Sequence, residues 1–162
     1  MPELAMLAPL GYLLAVGIPL ALIDIREHRL PNRLTISSIA VTVLGLAVAA
    51  FLSGDWGRSL LALAIGLLTF LCGWLMAAKG LIGMGDIKLL VSLNAIASYF
   101  SLLLPVILMS LGLVLASAVS VFKILSRKLD FNSSIALGPY LLLGFYLSVF
   151  PVAFSATAEA WS

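Results

Sequence analysis

Apolar runs of bilayer-spanning length follow one another along nearly the whole chain, and they constrain its fold more than any other feature. A transmembrane helix needs about 20 predominantly apolar residues to cross about 30 Å of hydrocarbon. Such runs extend over residues 4–23, 34–52, 59–78 and 135–154. Between the third and the last of them, residues 87–122 form an apolar stretch that would be about 54 Å long as one helix. One crossing needs little more than half of that length. The stretch is therefore expected to divide ahead of Pro105 into helices at 86–99 and 102–122. Only 10% of the 162 residues are charged, against about 25% in soluble domains, and the mean hydropathy is +1.21. The expected fold class is all-α, a polytopic membrane protein with six transmembrane helices that forms a single membrane-embedded domain over residues 1–162.

The residues between the runs fit this division. Pro9 and Pro19 fall in the first run, where a membrane helix tolerates proline. The Met1-Pro2-Glu3 start has no basic region and no small-x-small cleavage site follows, so the first run reads as a retained helix. Pro31 suits the first turn of the second helix, where its missing N–H would have no partner in any case. The glycines of Gly80-Leu81-Ile82-Gly83-Met84-Gly85 predict a loop from Lys79 to Asp86. Gly112, Ala116 and Ser120 form a small-residue stripe suited to close helix packing. A second basic loop is expected from Lys123 to Ser134. Of the nine lysines and arginines, only Arg58 falls outside the first, third and fifth loops. The positive-inside rule then turns those loops toward the cytoplasm and puts both chain ends outside. A net charge of +2 gives no case for nucleic acid.

Seven acidic residues are available for chemistry. Glu3 and Glu159 lie near the ends, Asp55 and Asp130 in polar loops, and Glu27 among arginines; each reads as a solvated surface charge. Asp24 and Asp86 differ, because both abut apolar runs where a helix meets a loop, on the same side of the membrane. Asp24 alone could simply close the first helix at the interface. The helix that begins at Asp86 reaches only about 21 Å by Tyr99, less than the hydrocarbon thickness. Asp86 is therefore expected below the surface, at the floor of a water-filled notch, where an ionisable group is a functional candidate. Two neighbouring carboxylates share one proton. The ionised one can take a proton from water while the protonated one donates to a peptide carbonyl, which is general acid–base hydrolysis without a covalent intermediate. Gly83 and Gly85 would let a substrate backbone approach Asp86 closely.

The other reactive side chains suggest less. His28 stands among arginines and reads as a solvated loop residue. Ser37 and Ser38 lack a base. Cys72 is the one cysteine and reads as a small buried hydrophobe. Lys88 lies about 200° around the helix from Asp86 and is expected to snorkel to the lipid headgroups. No metal-ligand cluster is present, and no cofactor is implied.

Three motifs resemble those of the type IV prepilin peptidases. Gly83-Met84-Gly85-Asp86-Ile87-Lys88-Leu89-Leu90 resembles the Gly-x-Gly-Asp-hydrophobic-Lys-Leu motif of that family. Asp24 followed by Leu30-Pro31-Asn32-Arg33-Leu34-Thr35 resembles its first aspartate motif. Gly138-Pro139-Tyr140-Leu141-Leu142-Leu143-Gly144 resembles a stretch of its last helix. The motifs fall in the family's order and cover nearly the whole chain. Ile135-Ala136 stands where members often have a proline, and Asn94 where small residues are common. The resemblance implies a membrane aspartic endopeptidase of the cytoplasmic (inner) membrane. It would cut the leader peptide from prepilin or pseudopilin preproteins at the cytoplasmic face, with Asp24 and Asp86 catalytic and Gly83, Gly85, Pro31 and Asn32 shaping the site. Bifunctional members carry an extra N-terminal region, often with a cysteine tetrad, that methylates the new N-terminus. This chain resembles the peptidase-only form found with tight-adherence (Flp-type) pili, and archaeal preflagellin peptidases are similar in plan. Its partners would be preprotein substrates and membrane lipids.

Other function classes fit less well. In a small proton- or ion-coupled carrier Asp24 and Asp86 would be relay carboxylates, but the half-repeats of such carriers are missing. A structural subunit of a secretion machine would leave both aspartate motifs without a role. A presenilin-like protease would want a Pro-Ala-Leu motif and a Tyr-Asp pair, and the sequence has neither.

Overall fold

The computed structural model describes residues 2–27, 29–125 and 136–159, and every regular element among them is helical. In chain order these are α1 (Pro2–Ala5), α2 (Leu7–Glu27), α3 (Asn32–Ser53), α4 (Trp56–Ala78), α5 (Met84–Phe100), α6 (Leu104–Leu125) and α7 (Gly138–Glu159). The protein is an all-α, multi-pass membrane protein. Helices α2, α3, α4, α6 and α7 are each long and apolar enough to cross a bilayer. Their outer faces carry large apolar side chains in the open, among them Leu44, Phe51, Leu67, Leu68, Val106 and Val114. A water-soluble surface would not tolerate so much exposed hydrocarbon, whereas lipid is its natural solvent.

The 17-residue α5 is different. It packs against α3, α4, α6 and α7, and from Ser92 to Tyr99 every residue is buried. Protein rather than lipid surrounds this helix, so it can carry Ser92, Asn94 and Ser98 inside the bundle. Ser92 and Asn94 pair with neighbouring helices, while Ser98 Oγ donates to Ala95 O of α5 itself. Ser92 Oγ lies 3.0 Å from Ser38 Oγ on α3, and Asn94 Nδ2 donates to Thr69 Oγ1 on α4 at 3.0 Å. Such bonds contribute about 0.6 kcal/mol each inside a membrane protein. At the end of the bundle away from Asp86, Arg58 Nε donates to Tyr99 O at 2.7 Å, and its guanidinium lies 4.3 Å from the Tyr99 ring centroid.

Several boundaries differ from the sequence-based expectation. The first apolar run is broken at Met6 into α1 and α2. Helix α2 then continues past Ile23 to Glu27, so Asp24 lies inside its last turn rather than at a helix–loop junction. Pro31 is the cap of α3 (φ −66°, ψ 126°) rather than a first-turn residue, and its carbonyl accepts from Leu34 N and Thr35 N. The loop after α4 ends early. Gly80, at φ 70°, closes α4 by donating to Ala77 O, while Leu81 N donates to Met76 O. This is the Schellman arrangement that favours a left-handed glycine. Helix α5 starts at Met84, so Gly85 is helical. Lys123 belongs to α6, while Arg127, Lys128 and Asp130 of the predicted basic loop, like His28, lie outside the described residues. Asp55 does more than sit in water: it caps α4 by accepting from Arg58 N at 3.2 Å. Cys72 is exposed on α4 rather than buried.

Helices α6 and α7 meet through glycines. A Cβ on Gly144 would stand 2.6 Å from Leu108 O and 2.8 Å from Gly112 N. Gly112, the first residue of the small-residue stripe of α6, thus serves close helix packing.

Candidate active site

The alternation of the helices brings the end of α2 and the starts of α3, α5 and α7 to one end of the bundle. Asp24 approaches that end from the last turn of α2, and Asp86 enters from the first turn of α5. Leu30, just before the Pro31 cap, lies between them and is buried. Gly85 faces Leu30 so closely that a Cβ there would stand 2.9 Å from Leu30 Cβ and 3.3 Å from its backbone N and O. The space beside Gly85 is therefore filled by the chain itself, not left open for a substrate backbone. On its other side Leu30 meets the start of α7. A Cβ on Gly138 would stand 3.4 Å from Leu30 Cδ2 and 2.8 Å from Asp24 Oδ2. One leucine thus ties together the segments that carry the two aspartates and the last-helix motif.

Asp24 is 3% exposed. Its Oδ2 accepts the backbone N–H of Gly138 at 2.9 Å. The first N–H groups of a helix have no partner within it, and the helix dipole favours negative charge there. Asp86 is half-buried, and its Oδ1 is fully covered with no hydrogen-bond partner among the described residues. A buried carboxylate oxygen without a partner is costly in a purely structural role. The side chain folds back toward the cap of its own helix, so a Cβ on Gly83 would lie 3.2 Å from Asp86 Oδ2. The Asp24 and Asp86 carboxylates lie within electrostatic range of one another. Lys88 turns to a different partner from Asp86: its Nζ donates to Asn32 Oδ1 at 2.8 Å.

Residues 11–125, which include both aspartates, match the type IV leader peptidase family. The chain belongs to that family. No curated protein and no solved structure gives a significant match. As a leader peptidase it is a hydrolase of the membrane with prepilin-like substrates as a class. The site residues read from the sequence fall into two groups in this family member. Asp24 and Asp86 lie within electrostatic range of one another, Gly83 adjoins Asp86 and Gly85 packs on Leu30, while Pro31 and Asn32 stand at the start of α3. Two contributors were not singled out as site residues in the sequence. Leu30 looks like one more apolar residue, and Gly138 acts through a backbone N–H, which leaves no mark on side-chain chemistry. A close three-dimensional approach across 114 positions has no local sequence signal. Among the described residues, no group of three or more His, Cys, Asp or Glu is placed to hold a metal ion.

Proposed function

We propose that the chain is an aspartic endopeptidase that removes the leader peptide of prepilin-like preproteins, with Asp24 and Asp86 as the catalytic pair. The observation that carries this reading is that two carboxylates, one buried and one half-buried, lie within electrostatic range of one another at one end of the bundle. In the reaction, the ionised carboxylate takes a proton from water, and the water oxygen bonds to the scissile carbonyl carbon. The protonated carboxyl gives its proton to the carbonyl oxygen, forming a tetrahedral diol. The first carboxyl then protonates the leaving nitrogen and the second recovers a proton from a diol hydroxyl. The C–N bond breaks, and both carboxyls return to their starting states. Neither a covalent intermediate nor a cofactor takes part.

The basic residues of the odd loops support a site facing the cytoplasm from the inner membrane, with both chain ends outside. One cysteine in 162 residues cannot supply a tetrad, so this chain is read as a peptidase without methyl transfer. The test is to mix the purified, lipid-reconstituted protein with candidate prepilins and locate the cut by mass spectrometry. Cleavage at one site next to the basic leader is expected. Ion flux with no cleavage of any prepilin would favour the carrier class instead.

A further inference from the structure

The last helix touches Asp24 directly, through its backbone. We propose that Gly138 is a positioning residue for the reaction: its backbone N–H fixes Asp24 Oδ2, and the absence of a Cβ is what lets that carboxylate stand against α7. This rests on the reading of Asp24 as catalytic.

Two separate observations support it. The Gly138 N–H donates to Asp24 Oδ2 at 2.9 Å, in a buried setting. That N–H belongs to the first turn of α7, where Tyr140 N and Leu141 N already bond to Leu137 O. The Gly138 N–H is therefore not needed for the helical ladder, and its bond to Asp24 is a tertiary contact. The second observation is steric. A Cβ at 138 would lie 2.8 Å from Asp24 Oδ2 and 3.4 Å from its Cγ. The carboxylate would have to turn or retreat, because Leu30 Cδ2 bounds the other side at 3.4 Å from the same point. The bond engages one lone pair of Oδ2, one of about four acceptor sites on the carboxylate. Asp24 thus reaches the reaction with a fixed side-chain angle and with Oδ2 hydrogen-bonded to α7.

The contact also gives α7 a mechanistic place. Helices α2 and α5 carry the carboxylates, and α7 holds one of them at its working angle. A displacement of a catalytic group by about 1 Å lowers turnover by up to about a hundredfold.

The test uses the full-length chain in lipid, with a prepilin that the wild type cleaves. Gly138→Ala keeps the N–H and adds the Cβ. Its kcat should fall about ten- to a hundredfold while KM stays within about twofold. An amide-to-ester exchange at the Leu137–Gly138 linkage removes the N–H and adds no atom. It should lower kcat by about tenfold, again at constant KM. The ester variant decides the matter if Gly138→Ala does not accumulate, since it adds no atom against Asp24 and deletes no helical bond, only weakening the Leu137 carbonyl that accepts from Tyr140 N and Leu141 N. Asp24→Asn and Asp86→Asn are measured beside them. If Asp24→Asn cleaves like the wild type, the catalytic pair is wrong and the positioning role goes with it. If both aspartates are required but the ester variant keeps wild-type kcat, the pair stands and the role of Gly138 is overturned. A rise in KM at constant kcat would make Gly138 part of substrate binding and overturn it as well.

Discussion

Lys88 reaches from α5 to the first residue of α3, where its Nζ donates to Asn32 Oδ1 at 2.8 Å. The bond joins the two segments that bring the aspartates into place, six residues before the Ser38–Ser92 contact on α3 and four before it on α5. It lies at the exposed rim of the site, so it acts by registering the two turns and not by touching the reacting groups. Lys88→Met keeps the aliphatic stem and loses the donor; Asn32→Ala loses the acceptor. Each is expected to lower the cleavage rate about three- to tenfold. Because the two side chains share one bond, the double variant should be no slower than the slower single one. Rates measured on the four proteins give the coupling directly, and fully additive losses would show that the residues act separately.

Asp24→Asn and Asp86→Asn are each expected to reduce cleavage by about a thousandfold or more while leaving membrane insertion and abundance near wild type. An asparagine at 24 can still accept from Gly138 N–H through its amide oxygen, so the tertiary contact survives while the proton acceptor is lost. At 86 the amide replaces a group whose Oδ1 has no partner among the described residues, so little bonding disappears. Immunoblots for abundance and a precursor-processing assay on the same membranes separate the two effects. Normal processing by either variant would remove that residue from the mechanism.

The membrane helices were legible because lipid imposes a length and an apolar composition on each of them. The least apolar helix, α5, was legible by its shortness, and the structure supplies the reason: Ser92 to Tyr99 are buried in protein and escape the demands of lipid. Helix ends were harder to read. Nothing in Ile25-Arg26-Glu27 breaks a helix, and α2 runs on through Asp24 until the chain must prepare for Pro31. The glycines before Asp86 suggested a loop, yet Gly85 is helical. Its missing Cβ serves the contact with Leu30, and tertiary packing overrode a propensity of about 1 kcal/mol. Both aspartates were visible because charged residues are rare beside apolar runs. Their partners were not. Gly138 N–H and Asp24, or Lys88 and Asn32, meet only after the helices have assembled.

Two glycine substitutions separate packing from chemistry. Gly144 faces backbone atoms of α6, with a virtual Cβ 2.6 Å from Leu108 O and 2.8 Å from Gly112 N. Backbone cannot swing aside as a side chain can, so Gly144→Ala must push α6 and α7 apart. A loss of about 1–3 kcal/mol is expected. At Gly11, in α2, nothing lies within 4 Å of the Cβ position, and Gly11→Ala should be neutral or stabilise by up to about 1 kcal/mol. Thermal unfolding in detergent should order the three proteins as Gly144→Ala, wild type, Gly11→Ala. Equal midpoints for the first two would show that the α6–α7 contact is looser than these distances require.

The depth of Asp86 can be read by thiol labelling. Cys72 is exposed on α4 and belongs to neither aspartate segment, so Cys72→Ala should retain activity and provide a thiol-free background. In that background Lys79→Cys places a thiol at an exposed turn, Leu113→Cys places one on the exposed outer face of α6, and Asp86→Cys places one at a half-buried position. Small charged reagents need water to reach a thiol and to ionise it. Lys79→Cys should therefore react fast. Leu113→Cys should hardly react, because its exposure is to hydrocarbon rather than water. Asp86→Cys should fall between them, slow because the position is half-buried, yet measurable because hydrolysis requires water to arrive there. Reagent added from the cytoplasmic side should label positions 79 and 86 alike in sidedness, since both belong to the α4–α5 connection and its helix start. Labelling of 86 as fast as 79 would make the aspartate a surface residue, and labelling of both from the opposite side would reverse the orientation inferred from the basic loops.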